Sequence, residues 1–463
     1  MSTESLKQSI GEFLNDLTQD KLDLSECMYD TVKPGAMAEK LKRAAPYNMF
    51  LTAIRDSKPT HDEPLSITMQ EIFDESLGEI ETSVQINFEI EIDWLLTFYH
   101  KARILDKPLL VLYGAADPDL DEINKVKSNV NAIRIKMPPE YAHSHSKIML
   151  LGYADGTMRI VISTANLTMF DWHNCTQSLW MSPLLPALTE DAEPTAGESP
   201  TGFKADLLRY LVVYQVEQLE PWLERIRKTD FSAINVFLIT SVPGAHLQPA
   251  PWGCTAIGTV LEHHMVPIDD SIPIVCQSSS IGSLGFTPMG WVQRDLLRHM
   301  RRNRSQVNRL RGFMPFKMIH PSKRNALASH DGGISPYKQE HHDRQSWLTA
   351  HLQQWKSDQR HRSQAMPHNK CYARFNEQEQ SLYWFLLTSA NISKAAWGYT
   401  DRYSLLTIAN YEAGVLFLPK FVIGDETFPL CSSRNGFPPF SLPYDVPLTP
   451  YAADDVPSVG SGL

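Results

Sequence analysis

His145-Ser-Lys147, followed by Ser163-Thr-Ala-Asn166-Leu-Thr168, recurs further along the chain as His368-Asn-Lys370 followed by Thr388-Ser-Ala-Asn391-Ile-Ser393. The lysine-to-asparagine separations are 19 and 21 residues and the two histidines stand 223 residues apart, so the repeated unit is the size of a domain. Around each copy the local pattern is the same. An apolar strand begins at the lysine, a turn follows, and a second apolar strand ends just before the asparagine. Ala154-Asp155-Gly156-Thr157 carries the Asp-Gly signature of a tight hairpin. On a strand the His and Lys of H-x-K project from one face. The asparagine arrives at the end of the neighbouring strand, beside a helix start where Ser393 precedes Lys394-Ala-Ala-Trp397. One concave surface can hold all three groups.

Outward from these motifs, apolar runs such as Ser83 to Phe88 and Pro108 to Tyr113 alternate with helix-like segments such as Phe203 to Val213, a βα rhythm that predicts layered α/β domains. Pro34-Gly35 separates a polar leading stretch, expected to be loosely attached. Residues 183–202, rich in Pro, Glu and Thr, read as an exposed loop. The main boundary is expected after the strand-like Asn235 to Thr240, where Pro243-Gly244 and His246 to Pro251 interrupt the pattern. The units are then 1–45, a polar segment; 46–247, carrying His145, Lys147 and Asn166; and 248–463, carrying His368, Lys370 and Asn391.

With 463 residues, 43% of them apolar and 21% charged, the chain has ample core for two such units and is neither disordered nor fibrous. Its net charge of −10 argues against a protein that coats a long nucleic-acid footprint, though not against contact with a strand end. Six scattered cysteines without a C-x-x-C pair indicate neither a zinc knuckle nor a disulfide framework, and so a reducing setting. The first twenty residues show no apolar leader, and no stretch approaches the roughly 18 apolar residues of a membrane span, so no membrane role is expected. The basic run Arg298, Arg301, Arg302, Arg304, Arg309, Arg311 reads as a solvated helix face, with a nuclear address or phosphate-binding surface as the alternative.

Imidazole, ammonium and amide together suit a phosphoryl group whose oxygens gain charge in the transition state. Two histidines allow a two-step displacement: one attacks phosphorus, the other protonates the leaving oxygen and then activates water. Such a scheme needs no metal or cofactor. A metal site on His143 and His145 would lack cysteines or a paired carboxylate motif nearby.

The chain resembles the phospholipase D superfamily, and within it the tyrosyl-DNA phosphodiesterase branch. The resemblance runs from Tyr47 to about Tyr451. The superfamily usually carries an acid five residues after the lysine, where this chain has Gly152 and Phe375, an absence typical of that branch. It is carried further by Asp171-Trp-His173, Thr176-Gln177, Ser182-Pro183, Ala365-Met-Pro-His368-Asn-Lys370, Thr388 to Gly398 and Tyr411 to Pro419. The chain departs from the branch in its basic run and at Asp455 to Leu463, where relatives continue with a Trp-rich segment.

The resemblance implies two similar α-β-α sandwich domains of phospholipase D type, related by a pseudo-twofold axis with one active site between them. It implies that His145 attacks the phosphate joining a DNA 3′ end to a tyrosine derived from topoisomerase I. His368 protonates the phenol, Lys147, Lys370, Asn166 and Asn391 hold the oxygens, and water releases a 3′-phosphate. It assigns Glu412 to orient His145 and Gln177 to orient His368. Ser280, Ser283 and Ser393 grip the strand, and Tyr141 stacks on a terminal base. The partner is then a single- or double-stranded DNA 3′ end bearing a tyrosyl peptide or other adduct, handled by a nuclear monomer. A DNA-end-binding scaffold without activity and a lipid phosphodiesterase of the same superfamily are the alternatives.

Overall fold

The computed structural model describes residues 3–137, 142–193, 195–305, 312–332 and 337–460. The first half contains β1 (Met49–Thr52), β2 (Ser66–Ile67), β3 (Ile80–Asn87), β4 (Leu109–Tyr113), β5 (Val130–Arg134), β6 (Ile148–Tyr153), β7 (Met158–Ser163), β8 (Cys175–Thr176) and β9 (Ser178–Met181). The second contains β10 (Phe237–Ser241), β11 (Gly244–His246), β12 (Ile274–Gln277), β13 (Phe316–Ile319), β14 (Leu352–Gln353), β15 (Met366–Pro367) and β16 (Cys371–Asn376). It continues with β17 (Ser381–Thr388), β18 (Tyr399–Thr400), β19 (Leu406–Ile408), β20 (Glu412–Phe417) and β21 (Phe428–Pro429).

Two sheets dominate. The first runs β2-β1-β9-β7-β6-β3-β4-β5 and the second β10-β20-β17-β16-β12-β13-β14, with β21 on β17. From β1 and from β10 the two orders match strand for strand. Each has antiparallel pairings as far as β3 or β12 and parallel pairings beyond. A shared topology of this kind is what duplication of one unit leaves behind.

The strand Phe237–Ser241, expected from sequence to close the first half, instead opens the second sheet beside β20. It occupies the place that β1 occupies in the first sheet, so the second unit begins before Pro243-Gly244 rather than at 248. A strand's sequence records its burial but not which sheet it joins.

The hairpins that follow the two lysines are continuous apolar runs because both faces are covered. Every residue of β6 and β7 is buried. Along β6, Ile148 and Leu150 enter an inner core, while Met149 and Leu151 enter an outer one, the period of two that a strand imposes. Gly156 at φ +85° closes the hairpin, and Tyr153 N–H donates to the Thr157 carbonyl at 2.9 Å. The inner core is common to both halves: Ile148, Leu150, Ile160 and Ile162 share it with Leu386, Val415 and Leu416, and the helices Phe203–Val212 and Glu220–Arg227 fill the space between. Fusion of the two halves is therefore hydrophobic at its base.

The leading segment is not loosely attached. Ile10, Phe13, Leu14 and Leu17 form an i, i+3, i+4, i+7 stripe along the helix Thr3–Thr18. That stripe packs on the helices Ile92–Lys101 and Pro118–Val126, and Ile10 and Leu17 become part of the outer core with Met37 and Leu41. Among the described residues no helix is long and apolar enough to cross a membrane.

Candidate active site

The histidines sit on short lead-in segments just before β6 and β16, and each lead-in is stitched to the opposite half. His145 N–H donates to the Tyr411 carbonyl and His368 N–H to the Thr176 carbonyl, both at 3.0 Å. The next residues in sequence, Glu412 and Gln177, thereby come within reach of the histidine across the interface. A short parallel ladder of β8 with β15 and a bridge between Ser144 and Tyr411 fix the two registers.

His145 Nδ1 lies 2.9 Å from Glu412 Oε2. The carboxylate also accepts from the Ser389 hydroxyl and, at 3.0 Å, from the Asn410 amide. Burial alone would raise Glu412, but His145 and these two donors hold it below its ordinary value. A carboxylate that accepts from Nδ1–H leaves the lone pair on Nε2. Burial brings His145 down to about 4 against the pull of Glu412, so at neutral pH the ring is uncharged.

His368 is held differently. Its Nδ1 lies 2.8 Å from Gln177 Nε2 and 3.2 Å from Asp171 Oδ2. The Thr164 hydroxyl donates to Gln177 Oε1 at 2.8 Å, which turns the amide N–H2 toward the ring. Thr164 and Ser389 hold corresponding positions, each two residues before its asparagine. Burial, opposed by Asp171, keeps His368 below the usual imidazole range. Burial on its own would raise Asp171, yet His368, Lys370 and the Asn166 N–H hold it at about 2.

Lys147 and Lys370 are buried, each donating back to the carbonyl of its own histidine. Burial brings Lys147 down to about 8. Burial and the like charge of Lys147 bring Lys370 down to about 7. Two buried ammonium groups, one of them lowered further by the charge of the other, are the electrostatic signature of an anion site.

The asparagines are not equivalent. Asn391 Oδ1 accepts from the Ser278 hydroxyl at 2.9 Å, the Ser279 hydroxyl at 3.1 Å and the Ser280 N–H at 3.0 Å, so its N–H2 is the end left to face a ligand. Asn166 instead directs Nδ2 to Glu89 Oε2 at 3.3 Å, and its Oδ1 is buried without a partner among the described residues. Burial and the charge of Asp171 push Glu89 up. The segments 278–281 and 88–90 are counterparts, since the bridges Ile281 to Ile392 and Ile90 to Leu167 match. One half presents hydroxyls there and the other an acid.

Ser280 is half-buried and Ser283 exposed. Ser393 caps the helix Lys394–Trp397 by accepting from Ala396 N–H. A Cβ on Gly282 would meet Ser393 Cβ at 2.7 Å, so this glycine is what lets the serine loop lie against Ser393. Tyr141 falls outside the described residues, as do Arg309 and Arg311. Of the remaining basic run, Arg301 is buried on Asp270 at 2.7 Å and Arg302 pairs with Glu262 at 2.7 Å, so these two serve packing rather than a solvated face.

Three neighbours of the site carry no recurring motif. Phe88 lies 5.6 Å from the His145 ring and 5.8 Å from Lys147 Nζ, Glu89 faces Asn166, and Asp171 faces His368. The signal for Asp171 was negative in form: the position five after Asn166 is acidic, whereas five after Asn391 stands Ala396.

The sequence profile of the tyrosyl-DNA phosphodiesterases matches residues 48–452. Tyrosyl-DNA phosphodiesterase 1 of Drosophila melanogaster is 60% identical over 438 residues, covering 92% of this chain and 76% of its own. A probable tyrosyl-DNA phosphodiesterase of Caenorhabditis elegans is 32% identical over 409 residues, covering 83% of each. The solved yeast tyrosyl-DNA phosphodiesterase superposes with a TM-score of 0.68 at 20% identity, over 89% of this chain and 99% of that one, and so shares the fold. With two matched sheets, two H-x-K motifs and a profile match along most of its length, the chain belongs to the tyrosyl-DNA phosphodiesterase family.

Proposed function

We propose that this protein hydrolyses the bond between a DNA 3′-phosphate and a tyrosine left by topoisomerase I, a DNA-repair reaction. The observation that carries the reading is the reciprocal anchoring: each histidine is oriented by a residue of the opposite half, so the two rings serve one substrate. The lone pair on His145 Nε2 attacks phosphorus, forming an N–P bond as the bond to the phenolic oxygen breaks. That oxygen takes a proton from His368 Nε2. Water then attacks phosphorus while His368 accepts its proton, the N–P bond breaks and a 3′-phosphate leaves. Glu412 stabilises the cationic phosphohistidine. Lys147, Lys370 and the Asn391 amide neutralise the non-bridging oxygens, where one donor is worth about 2.7–4 kcal/mol. Asn166 joins them when its amide leaves Glu89.

Ser280, Ser283 and Ser393 hold the strand, with Tyr141 stacking on its last base, and the enzyme acts in the nucleus as a monomer. The test is incubation with a 3′-phosphotyrosyl oligonucleotide in EDTA. Conversion to a 3′-phosphate, abolished in His145→Ala, is the expected outcome. Turnover that requires added metal, or persists in that variant, overturns the scheme. Faster cleavage of phosphatidylcholine transfers the activity to lipid.

A further inference from the structure

The mechanism asks more of His368 than Gln177 supplies. A neutral imidazole surrenders its last proton only to bases far stronger than a departing phenolate, so the acid in the first step must be the imidazolium. An imidazolium carries a proton on Nδ1, which needs an acceptor. Gln177 offers the wrong end: Thr164 occupies its Oε1 and its N–H2 points at the ring. The acceptor within reach is Asp171 Oδ2, 3.2 Å from Nδ1, on a buried side chain held by the Asn166 N–H.

The two halves reveal how this arose. Glu412 corresponds to Gln177, each one residue past the carbonyl that anchors a histidine, and Asp171 corresponds to Ala396. Each histidine therefore has one carboxylate, delivered to His145 from the start of β20 and to His368 from the helix Met169–His173 that follows Asn166. Gln177 and Asp171 compete for one nitrogen: the amide bonds it when the ring is neutral with its proton on Nε2, the carboxylate when the proton is on Nδ1.

We infer that Asp171 is a positioning residue for the reaction proposed above, the group that holds His368 as imidazolium before cleavage and as its Nδ1–H form when water is activated. The charged groups that act on His368 are Asp171 from the first half, Lys370 on its own lead-in and Lys147 across the interface. Only Asp171 favours the cation.

Two readouts test this in the full-length protein. In histidine labelled with 15N, with His368 identified by the signal lost in His368→Asn, Asp171→Asn should lower the His368 titration midpoint by about 1–3 pH units, the effect of removing an opposite charge at contact distance. The His145 midpoint should not move. In single-turnover cleavage the alkaline limb of adduct formation should shift down by the same amount, and adduct hydrolysis at neutral pH should slow, because the Nδ1–H form loses its acceptor. Gln177→Glu, which leaves Asp171 untouched, should raise the midpoint and let the covalent adduct accumulate on a denaturing gel. Asp171→Glu should restore the profile in part. An unchanged His368 midpoint in Asp171→Asn, or a Gln177→Glu protein whose midpoint does not rise, overturns the assignment even if activity falls. A wild-type protein inert toward the tyrosyl oligonucleotide would instead strike the functional reading, with the titration still reporting the contact.

Discussion

Lys147 and Lys370 show what single residues contribute, because their charge is conditional. Both are buried, and they are brought to about 8 and about 7 respectively by burial, with like-charge repulsion added at Lys370. Each is cationic below its value and loses charge as pH rises through it. A bound phosphate restores the charge, so binding above neutrality must take up protons. The dissociation constant of a 3′-phosphorylated oligonucleotide is therefore expected to rise between pH 7 and 9, by about tenfold per pH unit for each proton taken up. Fluorescence anisotropy across that range checks it, and a flat profile would mean that the ammonium groups stay charged in the empty site. The two lysines, two histidines and two asparagines were legible before any coordinates because the same spelling occurs twice. Phe88 and Glu89 were not, and Asp171 stood in a family motif without a role, because the part each plays comes from a neighbour remote in sequence: Glu89 meets Asn166 and Asp171 meets His368.

Among the elements, β17 and β20 set the second half of the site: β20 begins with Glu412, and β17 ends at Thr388, three residues before Asn391. They approach closely where Gly414 faces Thr388. A Cβ on Gly414 would sit 2.4 Å from the Leu387 carbonyl oxygen and 2.6 Å from Thr388 Cβ, contacts with backbone and a short side chain that cannot swing away. Gly414→Ala should destabilise the protein by about 1–3 kcal/mol, the range for overpacking, and should lower kcat by displacing Glu412. Gly11 is the control: it lies within the helix Thr3–Thr18 with nothing within 4 Å of its would-be Cβ. Gly11→Ala should add about 0.5–1 kcal/mol in urea unfolding and leave turnover unchanged. The hairpin at Asp155-Gly156 could be read from sequence, since φ and turn chemistry are local. The sheet that β10 joins could not, because pairing partners 175 residues apart leave no local trace. The stripe on the helix Thr3–Thr18 was present in the sequence but masked by the polar average around it.

At the scale of the whole molecule two electrostatic effects oppose each other. The net charge of −10 repels a polyanion, while the two buried ammonium groups attract it. The Debye length of about 8 Å at physiological ionic strength decides between them. Surface carboxylates such as Asp106 and Glu4, whose side chains are 96% and 89% exposed, act through water and are already screened there. In the proposed reaction Lys147 and Lys370, both buried, meet the phosphate where solvent barely enters and screening is weak. Local attraction should therefore prevail, and added salt should weaken binding rather than relieve repulsion. For a single strand held by one or two phosphates, the logarithm of affinity should fall against the logarithm of salt concentration with a slope of about −0.7 to −1.4. Lys370→Met should flatten that slope as well as weaken binding, since fewer counterions are then displaced. An affinity that rises with salt would mean that the acidic surface, not the interface between the two sheets, governs the encounter with DNA.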